Sequence, residues 1–206
     1  MDIDKMFGVS YCINLKERKD RWEVCQKEFE KIGFFPKRFE AIKNEKPWLG
    51  CYLSHLEILR EARQKRENVL IFEDDVEFVN LDKISISDAL DEINDMEWAM
   101  GYFGGNILKP FYQETSFWAR LNHCQSTHSY FISKEYLNDI IMFLEKNPYI
   151  IDVLYANYLV PQFPSYIIIP MVAIQRTSYS NIEQKNMTYD IPIQRYYQNL
   201  VNMEVK

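Results

Sequence analysis

Apolar runs and apolar stripes alternate through the first hundred residues, and their spacing predicts strands and helices in turn. Gly8-Val9-Ser10-Tyr11-Cys12-Ile13-Asn14-Leu15 is short and β-branched or aromatic in character, and it meets the charged stretch Lys16 to Arg21 at once. That is the pattern of a buried strand ending in a polar loop. Trp22, Cys25, Phe29 and Ile32 then recur at spacings of three and four, on one helical face, with Gly33 where a C-cap belongs. Arg38-Phe39-Glu40-Ala41-Ile42 predicts a second strand, and a second helix follows Gly50 with Leu53, Leu56, Leu59 and Ala62 facing inward. Val69-Leu70-Ile71-Phe72 is a continuous apolar run of strand length, as in a strand buried on both faces, and Glu73-Asp74-Asp75 emerges at its carboxyl end.

The second half is less regular. Ser85 or Ser87 is placed to cap a helix through about Met96, and Trp98 to Phe103 reads as a strand broken at Gly104-Gly105. No clear period follows until about Leu121. Tyr130-Phe131-Ile132 predicts a strand, and Ser133 an N-cap for a helix with Leu137, Ile140, Ile141 and Leu144 on its apolar stripe. Ile151 to Leu159 reads as a further helix, and Tyr166 to Ile169 and Val172 to Ile174 as strands around Pro170. From Ser180 to Lys206 the chain is polar and aromatic with weak periodicity.

Strands alternating with helices argue for an α/β sheet covered on both faces, and in such sheets ligands bind beyond the carboxyl ends of the strands. The polar residues after Leu15 and the acids after Phe72 are therefore the places to look for a site. Only six glycines and eight prolines occur, with no repeat or linker, which fits one continuous domain over 1–206.

Composition narrows the function classes. Thirty acidic against 24 basic residues give a net charge of −6, with the cations scattered, so nucleic acid is not an expected partner. No stretch approaches the ~18 apolar residues of a membrane span, and two acids stand near the N-terminus where a secretory leader carries positive charge. A soluble cytoplasmic protein is expected, with peripheral membrane contact left open. Cys12, Cys25, Cys51 and Cys124 are too far apart for a CxxC pair and read as reduced core residues.

Three consecutive carboxylates at the end of a buried strand are costly unless a cation or hydrogen-bond donors neutralise them. Oxygen ligands suit magnesium or manganese, which commonly bridge a carboxylate to nucleotide phosphates. The alternative is a solvated loop with all three acids in water.

Five blocks carry a resemblance: Tyr11 to Leu15; Arg18 with Asp20-Arg21-Trp22; Arg38 to Ala41; Gly50-Cys51-Tyr52-Leu53-Ser54-His55; and Val69 to Val76. Their order and spacing resemble glycosyltransferase family 25, which includes lipooligosaccharide galactosyltransferases and collagen hydroxylysine galactosyltransferases. Weaker echoes occur at Gly104-Gly105, Thr127 to Ser133, Ile151-Asp152, Pro170 to Gln175 and Ser180-Asn181-Ile182. The resemblance implies a GT-A-type, Rossmann-like fold with a mixed central sheet flanked by helices. It divides the domain into a nucleotide-sugar half (1–100), an acceptor-side half (101–180) and a tail (181–206).

It further implies inverting transfer of a hexose, galactose or glucose, from a UDP-sugar to a glycan or hydroxylysine-type acceptor with Mn2+ (or Mg2+). Carried over by position, Glu73-Asp74-Asp75 is the acidic motif, with Asp75 the first choice of metal ligand and Asp74 a ligand or ribose contact. Asn14, Leu15, Arg18 and Arg21 line the nucleotide pocket. Asp152 is the candidate general base, although an aspartate there also suits a helix N-cap. His55, His128 and Gln175 are candidates to contact the acceptor or to support the site from behind. Lys46 to Leu49 lacks the Gly-Glu pair usual before the family's Gly-Cys, and Asn181 stands where the family reads Asp. On those departures rests the alternative of an inactive nucleotide-sugar-binding module. A phosphohydrolase is a further alternative, weakened by the lack of a second acidic or histidine cluster for a two-metal site.

Overall fold

The computed structural model describes residues 2–176 and the backbone of two short strands beyond them, within 178–180 and 185–187. A short helix α1 (Ile3–Met6) leads into β1 (Val9–Asn14), α2 (Lys19–Ile32) and β2 (Lys37–Glu40). Gly33 ends α2 in the left-handed region at φ 64°, its N–H donating to the last turn, which is the cap its position predicts. The next helix, α3 (Pro47–Lys65), starts ahead of Gly50 because Pro47 occupies the first turn, where a missing N–H removes no helical hydrogen bond. Then come β3 (Val69–Glu73), β4 (Val76–Phe78) and α4 (Ile86–Asn94), the last capped by the Ser85 hydroxyl accepting the Asp88 N–H.

The stretch without sequence periodicity holds β6 (Tyr112–Gln113) and β7 (Trp118–Arg120), between β5 (Met100–Tyr102) and β8 (Ser129–Ile132). These strands are too short to show an alternation. Helix α5 (Leu137–Lys146) begins after Tyr136 rather than at Ser133, whose hydroxyl instead accepts the Glu135 N–H within the preceding turn. A final helical segment runs from α6 (Ile151–Leu154) through a π-helical turn (Tyr155–Leu159) into α7 (Val160–Gln162). The strands β9 (Ser165–Ile168), β10 (Ala173–Gln175), β11 (Ser178–Ser180) and β12 (Lys185–Met187) follow.

Eight strands form one mixed sheet in the order β2-β1-β3-β8-β5-β9-β7-β6. β1 runs parallel to both β2 and β3, β8 is inserted antiparallel between β3 and β5, and β5 is parallel to β9. Side chains of β3 alternate between two cores, as the pleat requires. Val69 and Ile71 pack with Leu56 and Leu59 of α3 and Ile141 and Leu144 of α5. Leu70 and Phe72 pack with Phe29 of α2, Leu90 of α4 and the aromatic group of Phe103, Trp118 and Phe131. The fold is thus an α/β one, a mixed central sheet flanked by helices. Among the described residues no helix is long and apolar enough to cross a membrane.

Two features of this frame build the site. The register pairs Ile13 with Glu73, so Asn14 and Asp74 leave their strands side by side. β4 and β10 form a small antiparallel pair that sets Gln175 opposite Val76, beside Asp75. That pair sits close under Gly104, where a Cβ would lie 1.7 Å from the Ala173 carbonyl oxygen, so no side chain is possible there.

Candidate functional site

The carboxyl ends of β1 and β3 open into a cleft of about 480 Å³. Asn14, Leu15, Arg18, Arg21, His55, Glu73, Asp74, Asp75 and Gln175, all expected at the site, line it together with Lys43, Asn44 and Cys51. His128 and Asp152 do not line it, and Asn181 and the tail of 181–206 lie outside the described residues apart from the backbone of β12.

Strand alternation sends the three consecutive acids to different partners. Glu73 continues the Val69 and Ile71 face toward α3, where its Oε1 is 3.3 Å from His55 Nε2 and accepts the Thr127 hydroxyl proton. His55 and Thr127 hold the Glu73 carboxyl below its ordinary range against the opposing effect of burial, which is the largest single influence. Asp74 turns to the α2 side. Its Oδ1 takes the Arg21 guanidinium at 2.6 Å and its Oδ2 the Asn14 amide at 2.7 Å.

Asn14 is buried and fully used. Its amide also donates to the Arg18 carbonyl at 3.1 Å, and its oxygen accepts from Arg38, which reaches on to the Leu15 and Lys16 carbonyls. The loop after β1 is therefore tied to the acidic strand end through one side chain. Arg18 stands at the cleft mouth, paired through two hydrogen bonds with Asp20.

Asp75 has the least compensation. It is 9% exposed, its Oδ2 is 3.4 Å from Gln175 Nε2, and its Oδ1 is buried with no hydrogen-bond partner. Burial, then Glu73 and Asp74, push its carboxyl up to about 7, while Arg21 and Arg176 work against them. A buried, partnerless carboxylate oxygen among acids fits a divalent cation, and carboxylate oxygen is the donor that magnesium and manganese prefer.

Farther in, Asp152 lies in the first turn of α6 without capping it. Its Oδ2 is 3.4 Å from Gln125 Nε2 and its Oδ1 is buried without a partner. Burial and then the Glu73 carboxylate raise its proton affinity, which sets it within the field of the acidic motif. His128 is 2% exposed, and burial lowers its imidazole to about 4, so it is neutral near pH 7. Its backbone carbonyl accepts the Glu73 N–H, which fixes the strand end.

Sequence reasoning assigned no role to Arg38, Arg176 or Thr127, and read Cys51 as core. Arg176 donates its backbone N–H to the Asp75 carbonyl at 2.7 Å and a guanidinium N–H to the Asp74 carbonyl at 2.9 Å. The signal for it was a cation directly after a strand run. Cys51 is half-buried on the cleft wall, four residues before His55 on α3. That helical spacing was the signal for it.

The family model of glycosyltransferase family 25 (LPS biosynthesis protein) matches residues 45–123, from the start of α3 to just past β7. No curated protein matches the chain in sequence. One solved structure that resembles it is described as the "crystal structure of a glycosyltransferase involved in the glycosylation of the major capsid of PBCV-1". The two are 16% identical, with 77% of this chain and 80% of that one covered at a TM-score of 0.49.

The family match runs through both α3 and the acidic motif and supports a glycosyltransferase. Outside 45–123, Asn14, Leu15, Arg18, Arg21 and Gln175 line the same cleft, and Thr127 donates to Glu73. Residues 45–123 thus resemble glycosyltransferase family 25.

Proposed function

We propose that the protein is an inverting, divalent-cation-dependent hexosyltransferase that uses a UDP-sugar, donating galactose or glucose to a glycan or hydroxylated peptide. The observation that carries this reading is the buried, partnerless Oδ1 of Asp75 in a cleft at the carboxyl ends of β1 and β3. In this reading residues 1–100 bind the donor and 101–180 the acceptor.

Asp75 would hold the cation, manganese or magnesium, whose chemistry is to offset the charge of the departing diphosphate. Arg18, half-exposed at the cleft mouth, adds a guanidinium for the same phosphates. Arg21 and Asn14 anchor Asp74 and so keep the motif in shape. Inversion requires that the acceptor oxygen enter opposite the leaving diphosphate and lose its proton to a base. Asp152, half-buried with one buried oxygen that has no hydrogen-bond partner, suits that base because its raised proton affinity strengthens it.

Isothermal titration of UDP with and without manganese, on the wild type and on Asp75→Ala, tests the donor half of this reading. Micromolar binding that needs manganese and disappears in Asp75→Ala is expected. No UDP binding under any metal condition would overturn it.

A further inference from the structure

Beside Asp74 and Asp75 the cleft wall carries a second donor set of different chemistry. Cys51 Sγ, His55 Nε2 and a Glu73 carboxylate oxygen lie within 4.8 Å of one another. Cys51 and His55 are four residues apart on α3, hence on one face, and Glu73 ends β3 opposite them. His55 is fully buried, and its Nε2 makes no hydrogen bond although Glu73 Oε1 is only 3.3 Å away. Its other nitrogen is fixed: Nδ1 is 2.8 Å from the Tyr130 hydroxyl, which in turn meets the Tyr155 hydroxyl at 3.2 Å. A buried imidazole nitrogen held toward a thiol and a carboxylate, close to Glu73 without a well-formed hydrogen bond to it, is placed to take a ligand.

We propose that Cys51, His55 and Glu73 form a zinc(II) site with three protein ligands and a fourth position open to the cleft. Thiolate and imidazole select zinc over magnesium or manganese. Bonds of about 2.0–2.1 Å from a tetrahedral ion put nitrogen and oxygen ligands roughly 3.3–3.4 Å apart, which is the His55–Glu73 separation. The Tyr130 hydroxyl fixes the imidazole and the Thr127 hydroxyl the carboxylate, as the outer partners of metal ligands do.

Binding balances simply. The ion displaces the Cys51 thiol proton to solvent, and thiolate plus carboxylate then offset its two positive charges. Three protein ligands with an open fourth place is the arrangement of zinc sites that engage a substrate or water oxygen. The site does not include Asp75 and does not rest on the donor reading.

Cobalt(II) titration of the chelator-treated full chain tests this. One equivalent is expected to bind with intense cysteinate-to-cobalt absorption and tetrahedral d–d bands, displaced by zinc. Cys51→Ser abolishes the cysteinate absorption, Tyr130→Phe weakens binding by about 10–100-fold, and Asp75→Asn retains the spectrum. An unchanged spectrum in Cys51→Ser, or no cobalt binding by the wild type, overturns the proposal. A second measurement needs no variant. Cys51 is half-buried while Cys12, Cys25 and Cys124 are buried, so native thiol modification reports on Cys51. Zinc is expected to slow it at least tenfold and a chelator to restore it, and an unchanged rate would refute the site.

Discussion

Asn14 joins two strand ends through one amide, and removing it gives a sharp test of how the motif is held. In Asn14→Ala the charge-assisted bond to Asp74 at 2.7 Å is lost, about 1.5–3 kcal/mol, together with the bond to the Arg18 carbonyl, about 1 kcal/mol. Arg38 also loses the Asn14 oxygen, but it is half-exposed and keeps the Leu15 and Lys16 carbonyls, so water replaces that partner at little cost. The expected destabilisation is roughly 2.5–4 kcal/mol, which for a chain of this length lowers Tm by about 5–16 °C. Urea unfolding followed by tryptophan fluorescence measures it, and a cycle with Asp74→Asn isolates the pair. The coupling should be about 1.5–3 kcal/mol. Destabilisation under about 1 kcal/mol, or coupling within error of zero, would refute the view that Asn14 clamps the acidic strand end.

Three further outcomes follow from the geometry. Burial, Glu73 and Asp74 raise the Asp75 carboxyl to about 7, so the folded protein holds this proton more tightly than the unfolded chain, and the associated stability is lost as pH rises through 7. Asp75→Asn should therefore stabilise the metal-free protein at about pH 8, by up to ~4 kcal/mol, and have no such effect near pH 4; an equal gain at both values would contradict this. Gly104→Ala drives a methyl into the Ala173 carbonyl and should cost several kcal/mol, whereas Gly33→Ala, in open space at φ 64°, should cost about 1 kcal/mol; similar melting temperatures for the two would be inconsistent. On the proposed mechanism, Asp152→Asn should lower kcat by about 10²–10⁴ while leaving UDP affinity unchanged, and a loss below tenfold would move the base elsewhere.

The elements legible in the sequence are those long enough to repeat a pattern. The stripes of α2 and α5 and the unbroken run of β3 announced themselves, because each buries a face whose period survives in the residue order. β6 and β7 span two and three residues, too few for a period, and their place at the sheet edge comes from β7 pairing with β9 and β6 with β7. The start of α3 was misread for a local reason, since the apolar stripe after Gly50 is stronger evidence than the single Pro47 that sets the true beginning.

The acidic motif shows where sequence reasoning stops. Residue order places three acids at a strand end and predicts crowding, but not which acid is left over. That depends on facing elements: α2 supplies Arg21 to Asp74, α3 supplies His55 to Glu73, and β10 supplies only the amide of Gln175 to Asp75. The distribution follows from the pleat, because Glu73 inherits the α3 side of β3 and Asp74 the α2 side. Asp75, past the end of the strand, inherits neither, and an acid left without a cationic side chain of its own is where a cation gains most by binding. The same pleat explains why the thiol and imidazole of α3 meet Glu73 and not its neighbours: they cover the one face of β3 on which that residue stands.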